Sequence, residues 1–119
     1  ELSVAFMDDA ELVRIHAEFL QDSTPTDVIT FPGDPRDGIA GEICVSVERA
    51  EMESIARCEP FTQELTLYLV HGWLHLLGFE DVSDSDRRSM RLAEQETMTV
   101  VEGAGVVPDF RLAQGSSAE

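Results

Sequence analysis

Apolar and polar positions change rhythm several times along these 119 residues, and each rhythm implies an element. Leu2 to Met7 alternates enough for a strand. Asp8 follows as a helix N-cap with Glu11 at the third helical position, and Leu12, Ile15, His16 and Phe19 recur at helical spacing. Gln21 to Pro25 is a polar break. Thr26 to Pro32 is a short strand with β-branched residues, and Gly33 to Gly38 is rich in turn residues. Ile39 to Val47 resumes as a strand, with Ile43, Val45 and Val47 on one face and Glu42, Cys44 and Ser46 on the other. These two strands predict an antiparallel hairpin.

Three helices complete the pattern. Glu48 to Cys58 is helical, and Glu59-Pro60 ends it because a residue before proline avoids the helical region. A second helix spans about Phe61 to Leu77. A third opens at Ser83 to Asp86, with Asp84 in its first turn and Met90, Ala93, Thr97 and Val101 as its inner stripe. Residues 102–119, rich in Gly, Ser and Ala, are expected to fray. No internal repeat or linker is visible. The expectation is one domain over 1–119 with an α/β (α+β) fold, a small mixed sheet packed with helices. Its order is strand, helix, strand, strand and three helices, with the Phe61–Leu77 helix central and buried.

That helix carries the candidate chemistry. His71 and His75 are four residues apart, so they lie one above the other on a helix face and can share one metal ion. Gly78 can take a left-handed C-cap that turns the chain back and brings Asp81 to the same ion. Two imidazoles and a carboxylate with one position left for water is a catalytic rather than a structural donor set, suited to Zn2+ or another divalent ion. Paired histidines are more often satisfied core residues. Here the helix is apolar on nearly all sides, buried imidazoles need partners, and two of the three histidines are in this pair. His16 reads as a core or boundary residue.

In zinc proteases a glutamate follows the first histidine and acts as base. Gly72 stands there instead, which removes bulk beside the metal and lets a substrate backbone approach. The base must come from elsewhere, and Asp27, Glu42, Glu64 and Glu80 are the candidates. Asp27 and Glu42 are carried forward as catalytic residues. Each has a plainer role: Asp27 capping a turn with Thr26, Glu42 as a surface strand residue, Glu64 as a favourable acid in a first helical turn.

Charge complicates the picture. The net charge is −16, and all eight basic residues are arginine. Such a surface attracts nucleic acid poorly unless the arginines cluster or a metal supplies the attraction. Arg87, Arg88 and Arg91 are the densest cluster, read either as a solvated, salt-bridged helix face or as a phosphate contact near the metal. Cys44 and Cys58 are too few and too separated for a zinc ribbon or redox pair, which favours reduced thiols and a cytoplasmic location. No apolar run of membrane-spanning length and no signal peptide is visible, and a first residue other than Met suggests a trimmed N-terminus.

His71-Gly-Trp-Leu-His75-Leu-Leu-Gly78-Phe79 resembles the His-Gly-x-Leu-His-Leu-x-Gly-(Phe/Tyr)-Asp-His signature of the endoribonuclease YbeY family of rRNA maturation factors. Glu80 stands for the usual Asp, and Asp81 for the usual third His. Pro25-Thr-Asp-Val-Ile-Thr-Phe-Pro32 and Gly41-Glu-Ile-Cys-Val-Ser46 resemble two further blocks, Pro-Thr-Asp-Val-Leu-Ser-Phe-Pro and Gly-Asp-Ile-x-Ile-Ser. Leu20 follows Phe19 where the family usually carries an Arg implicated in activity, and the strand and helix that usually open family members are missing. The resemblance implies metal-dependent cleavage of single-stranded RNA, with roles in 16S rRNA 3′-end maturation and ribosome quality control. It also implies partners among small-subunit ribosomal proteins and a ribosome-associated GTPase. Two alternatives stand beside it: a zinc metallopeptidase-like hydrolase, or a non-catalytic ribosome-assembly factor, the latter favoured by Leu20 and the acidic charge.

Overall fold

The structure, a computed structural model, describes residues 1–20 and 27–105. Strands β1 (Leu2–Met7), β2 (Val28–Pro32) and β3 (Gly41–Ser46) form one sheet in the order β1-β3-β2. β1 runs parallel to β3 and β2 antiparallel to it, so the sheet is mixed, as the pattern implies. Four helices complete the described residues: α1 (Asp9–Leu20), α2 (Val47–Arg57), α3 (Phe61–Leu76) and α4 (Asp84–Gly103). Among these residues no helix is long and apolar enough to cross a membrane. The polar break, Pro25-Thr26 and the end of the tail lie outside the described residues, as does the Leu20 side chain.

β3 is the central strand, and Ile43 to Ser46 are all buried because helices cover both faces. Side-chain alternation sends Ile43 and Val45 into a core with Ala50, Leu65 and Tyr68. Cys44 points the other way, into a cluster with Leu12 and Ile29. Leu12 is fully buried there, so its truncation to Ala would cost about 2–5 kcal/mol. α4 joins through Val70, Leu74 and Met90.

Local chemistry sets the element ends. The Glu11 N–H donates to Asp8 Oδ1 at 2.7 Å, capping α1 as its spacing implies. Ser83 and Asp86 exchange side-chain to backbone hydrogen bonds, a full capping box that starts α4. Ser46 accepts from the Arg49 N–H at 3.1 Å and starts α2 one residue earlier than its pattern suggests. Val47 is therefore the first helical residue and not a strand residue beside Val45. β3 likewise begins at Gly41 rather than Ile39.

Two further expectations are corrected. α4 continues through Gly103, so residues 102 and 103 are helical. The apolar α3 is not buried all round: Trp73 is 42% exposed and Leu77 58%, because the sheet, α2 and α4 do not cover its remaining side.

Candidate metal centre

α3 ends as its glycine implies. Gly78 has φ 107°, a conformation that favours glycine. Its N–H donates to the His75 carbonyl at 3.0 Å, and the Phe79 N–H reaches the Leu74 carbonyl at 3.0 Å. This is a Schellman closure, sealed by Phe79 packing on the cluster that holds Leu74. The reversed chain carries Asp81 back over the last turn of α3.

His71, His75 and Asp81 thereby come together. Their nearest donor atoms lie within 4.8 Å of one another. The two Nε2 atoms are 3.1 Å apart, and Asp81 Oδ2 is 3.7 Å from His71 Nε2 and 3.6 Å from His75 Nε2. Ligand bonds of about 2.0–2.2 Å at tetrahedral angles put donors roughly 3.3–3.5 Å apart, so the set fits a four-coordinate ion with little adjustment.

Hydrogen bonding on the far side of each ring strengthens this fit. His75 Nδ1 meets the Phe79 carbonyl at 3.0 Å, and His71 Nδ1 meets a carboxylate oxygen of Glu94 on α4. A carbonyl and a carboxylate only accept, so both Nδ1 atoms carry the protons. Two Nε2 lone pairs and an acidic oxygen then face one point, an arrangement that asks for a cation. Burial draws the His71 pKa down, but the hydrogen bond and charge of Glu94, with the charges of Asp27 and Asp81, outweigh it and leave it raised.

Two cavities meet at this group. The larger, of about 400 Å³, is lined by Tyr68, Glu64, Met90 and Glu94 among others, together with Arg57, Arg87 and Arg91. The smaller, of about 330 Å³, runs past Ile29 and Thr30 to His16 and His75. Asp27, Val28, His71 and Asp81 line both. The group thus borders two cavities. Three of the eight arginines line the larger cavity, beside the four acids Asp27, Glu64, Asp81 and Glu94.

The candidate bases separate. Asp27 lines both cavities. Glu64 lines the larger one, but it is 4% exposed and paired with Arg57 at 3.4 Å. Burial, partly opposed by Arg57, raises the Glu64 pKa. Glu80 is exposed and lines neither cavity. Glu42 also lines neither: it shares its strand face with Cys44, on the side of the sheet away from α3.

Gly72 serves a different purpose from the one its size suggests. A Cβ there would come within 2.7 Å of Ile43 Cγ2 and 3.2 Å of Thr30 and Val28 methyl groups. The space it leaves is filled by the sheet, not open to a substrate. No side chain at this position could act as a base.

Two participants escape the pattern of the chain. Glu94 lies 23 residues from His71 and reads as an ordinary acid of an outer helix. Its one sequence signal is its place next to Ala93 on the inner stripe. His16, half-buried as a boundary residue should be, lines the smaller cavity. Arg87 is salt-bridged to Asp84 as a surface residue, but it also donates to the carbonyls of Asp81 at 3.2 Å and Val82 at 3.1 Å. It ties the loop that carries Asp81 to α4.

The family model described as endoribonuclease YbeY matches residues 1–102. A Protochlamydia amoebophila protein named endoribonuclease YbeY is 38% identical over 104 residues, covering 83% of this chain and 69% of that one. A Flavobacterium psychrophilum protein of the same name is 38% identical, covering 82% and 70%. The solution structure of TM1509 from Thermotoga maritima superposes with a TM-score of 0.62 at 28% identity, covering 87% of this chain and 69% of that one. The chain therefore belongs to the endoribonuclease YbeY family, hydrolases that act on RNA.

Proposed function

We propose that this chain cuts single-stranded RNA internally with a zinc ion held by His71, His75 and Asp81, and that its substrate is the 3′ end of precursor 16S rRNA. The observation that carries the reading is the position of the three donors at the junction of two cavities. A strand lying through both would present an internal phosphodiester to the donor set. Imidazole, imidazole and carboxylate is a donor set that zinc accepts, and Glu94 and the Phe79 carbonyl hold both rings in the tautomer that ligation needs. A bound divalent ion of this kind acidifies water and polarises a phosphoryl oxygen.

The chain's own residues supply the rest. Asp27, which lines both cavities, is the base that takes the proton from the attacking water. Glu42, on the sheet face away from α3, lines neither cavity, so Asp27 alone is the base in this assignment. Arg57, Arg87 and Arg91 offset the surrounding acids where the backbone of RNA would lie. Quality control of ribosomes, small-subunit ribosomal proteins and a ribosome-associated GTPase as partners follow from the family resemblance. A cytoplasmic location is supported by the free thiols of Cys44 and Cys58.

The test measures metal content and cleavage of a single-stranded oligoribonucleotide by wild type, His75→Ala and Asp27→Asn. His75→Ala is expected to lose both metal and cleavage. Asp27→Asn is expected to keep its metal and lose about a hundredfold or more in kcat. A metal-free wild type, or metal-loaded wild type that leaves RNA intact, would sink the reading. Casein cleavage by the same preparation would select the peptidase alternative, and binding to small-subunit proteins without cleavage would select the assembly factor.

A further inference from the structure

We propose that Arg57, Arg91 and the Tyr68 hydroxyl form a phosphodiester-binding subsite beside the metal group, holding the phosphate next to the one that is cut. The proposal rests on the ribonuclease reading and adds where the strand is gripped.

All three residues line the larger cavity together with His71 and Asp81. They differ in how far they are already engaged. Arg87, the third arginine there, is occupied by Asp84 and by two carbonyls of the metal loop. Arg57 pairs with Glu53 at 3.2 Å and Glu64 at 3.4 Å, and a guanidinium with five N–H groups keeps donors to spare. Arg91 makes no ion pair or hydrogen bond among the described residues. Arg88 shares this lack of a partner, but only Arg91 of the two lines the cavity.

Tyr68 supplies the independent observation. The residue is 5% exposed, and its hydroxyl oxygen is buried with no hydrogen bond of good geometry, although the Glu64 carboxylate lies beside it. Such orphans are rare in folded proteins, and they call for a missing acceptor. Burial, then the charges of Asp27, Glu64 and Glu53 and the hydrogen-bonding interaction with Glu64, push the phenol pKa up, so the group stays a neutral donor. The acids of the same cavity have other work: Glu94 and Asp81 face the histidines, and Glu64 faces Arg57. Arg91 lacks an anionic acceptor altogether, and Arg57 and Tyr68 keep donor capacity for one with several oxygens. A backbone phosphate has that chemistry, and guanidinium matches it in shape as well as charge. It would also be read without regard to base, since phosphate contacts position a strand rather than identify it.

Binding of a fluorescent single-stranded oligoribonucleotide is measured by anisotropy across a salt series, with chelator present so that nothing is cut. Arg91→Ala and Tyr68→Phe are compared with wild type, and each is also assayed for cleavage and metal content without chelator. Arg91 is exposed, and Tyr68→Phe removes only an oxygen, so both variants should fold. Arg91→Ala is expected to bind about tenfold more weakly. Its salt slope should fall by roughly 0.7, the loss of one phosphate contact on a single strand. Tyr68→Phe is expected to lose severalfold in affinity with no change of salt slope. Both should raise KM more than they lower kcat and keep wild-type metal content. Variants that bind like a wild type that still cleaves would overturn the subsite and leave the ribonuclease reading intact. A wild type that neither binds nor cleaves RNA would overturn both. Inorganic phosphate matching the oligonucleotide's affinity, and losing it in Arg91→Ala, would replace the phosphodiester assignment with a free-phosphate site.

Discussion

The carboxylate of Glu94 on α4 holds the Nδ1 of His71 on α3, across 23 residues of chain. The contact keeps Nε2 of that ring bare and aimed at Nε2 of His75. Removing it should weaken the metal site without removing a ligand. Glu94→Gln is expected to lower zinc affinity about tenfold to a hundredfold, because the amide can present its N–H₂ and favour the wrong tautomer. Competition with a chromophoric chelator measures this, and an unchanged affinity would deny Glu94 its orienting role.

Arg87 acts one step further out. Its hydrogen bonds to the Asp81 and Val82 carbonyls hold the loop and not the ion. Arg87→Ala should lower metal affinity by less than the roughly tenfold expected for a group that orients a ligand directly. Its side chain is 47% exposed, so folding stability should change by no more than about 1 kcal/mol. Isothermal titration with zinc and urea unfolding separate the two quantities. A large stability loss with intact affinity would make Arg87 a structural residue only.

Gly72 lets α3 lie close against β2 and β3. A methyl group there must push Ile43 aside in a core where Ile43 is 1% exposed. Gly72→Ala is expected to destabilise the fold by about 1–3 kcal/mol, despite the better helix propensity of alanine. Urea unfolding followed by circular dichroism reads the change. A neutral or stabilised variant would show that the helix and sheet can separate freely at this point.

Asp9 pins α1 to α2. Arg49 Nη2 reaches Asp9 Oδ2 at 3.2 Å, and the Ser46 hydroxyl reaches Oδ1 at 3.1 Å. The hydrogen bond from Arg49, opposed by partial burial and helped by Ser46 and the Arg49 charge, holds the Asp9 pKa below its ordinary value. A lowered pKa means that folding favours the ionised form. Its contribution is complete above the unfolded value of about 4 and disappears as pH falls through the lower folded value. Asp9→Asn should therefore cost up to about 1 kcal/mol at pH 7, since the pair is partly exposed. The gap to wild type should close in strong acid. Parallel unfolding curves at the two pH values check this, and a gap that widens in acid would reverse the sign.

Much of this protein was legible in one dimension. The pairing of His71 with His75 is a property of any helix, and the turn at Gly78 that returns Asp81 needs only a glycine at the right place. The caps at Asp8 and Ser83 follow from side chains that reach no further than their own first turn. The alternation of β3 likewise names its two faces, although it cannot say that Ser46 ends the strand.

What lay beyond reach has a common physical origin. A local pattern reports which residues share a face, not what that face meets. Glu94 and Arg57 come to the metal group from other helices than the histidines, and only packing brings them there. Gly72 looks like room for a substrate until the sheet is seen to fill it, and Trp73 looks buried until its side of α3 is found uncovered. The chain's own order of residues settled the donors and the turn that gathers them. The folded arrangement decided their orientation, the carboxylates held away from them, and the two cavities that border the site. Those depend on contacts between segments far apart in sequence, whose approach is set by the whole core at once.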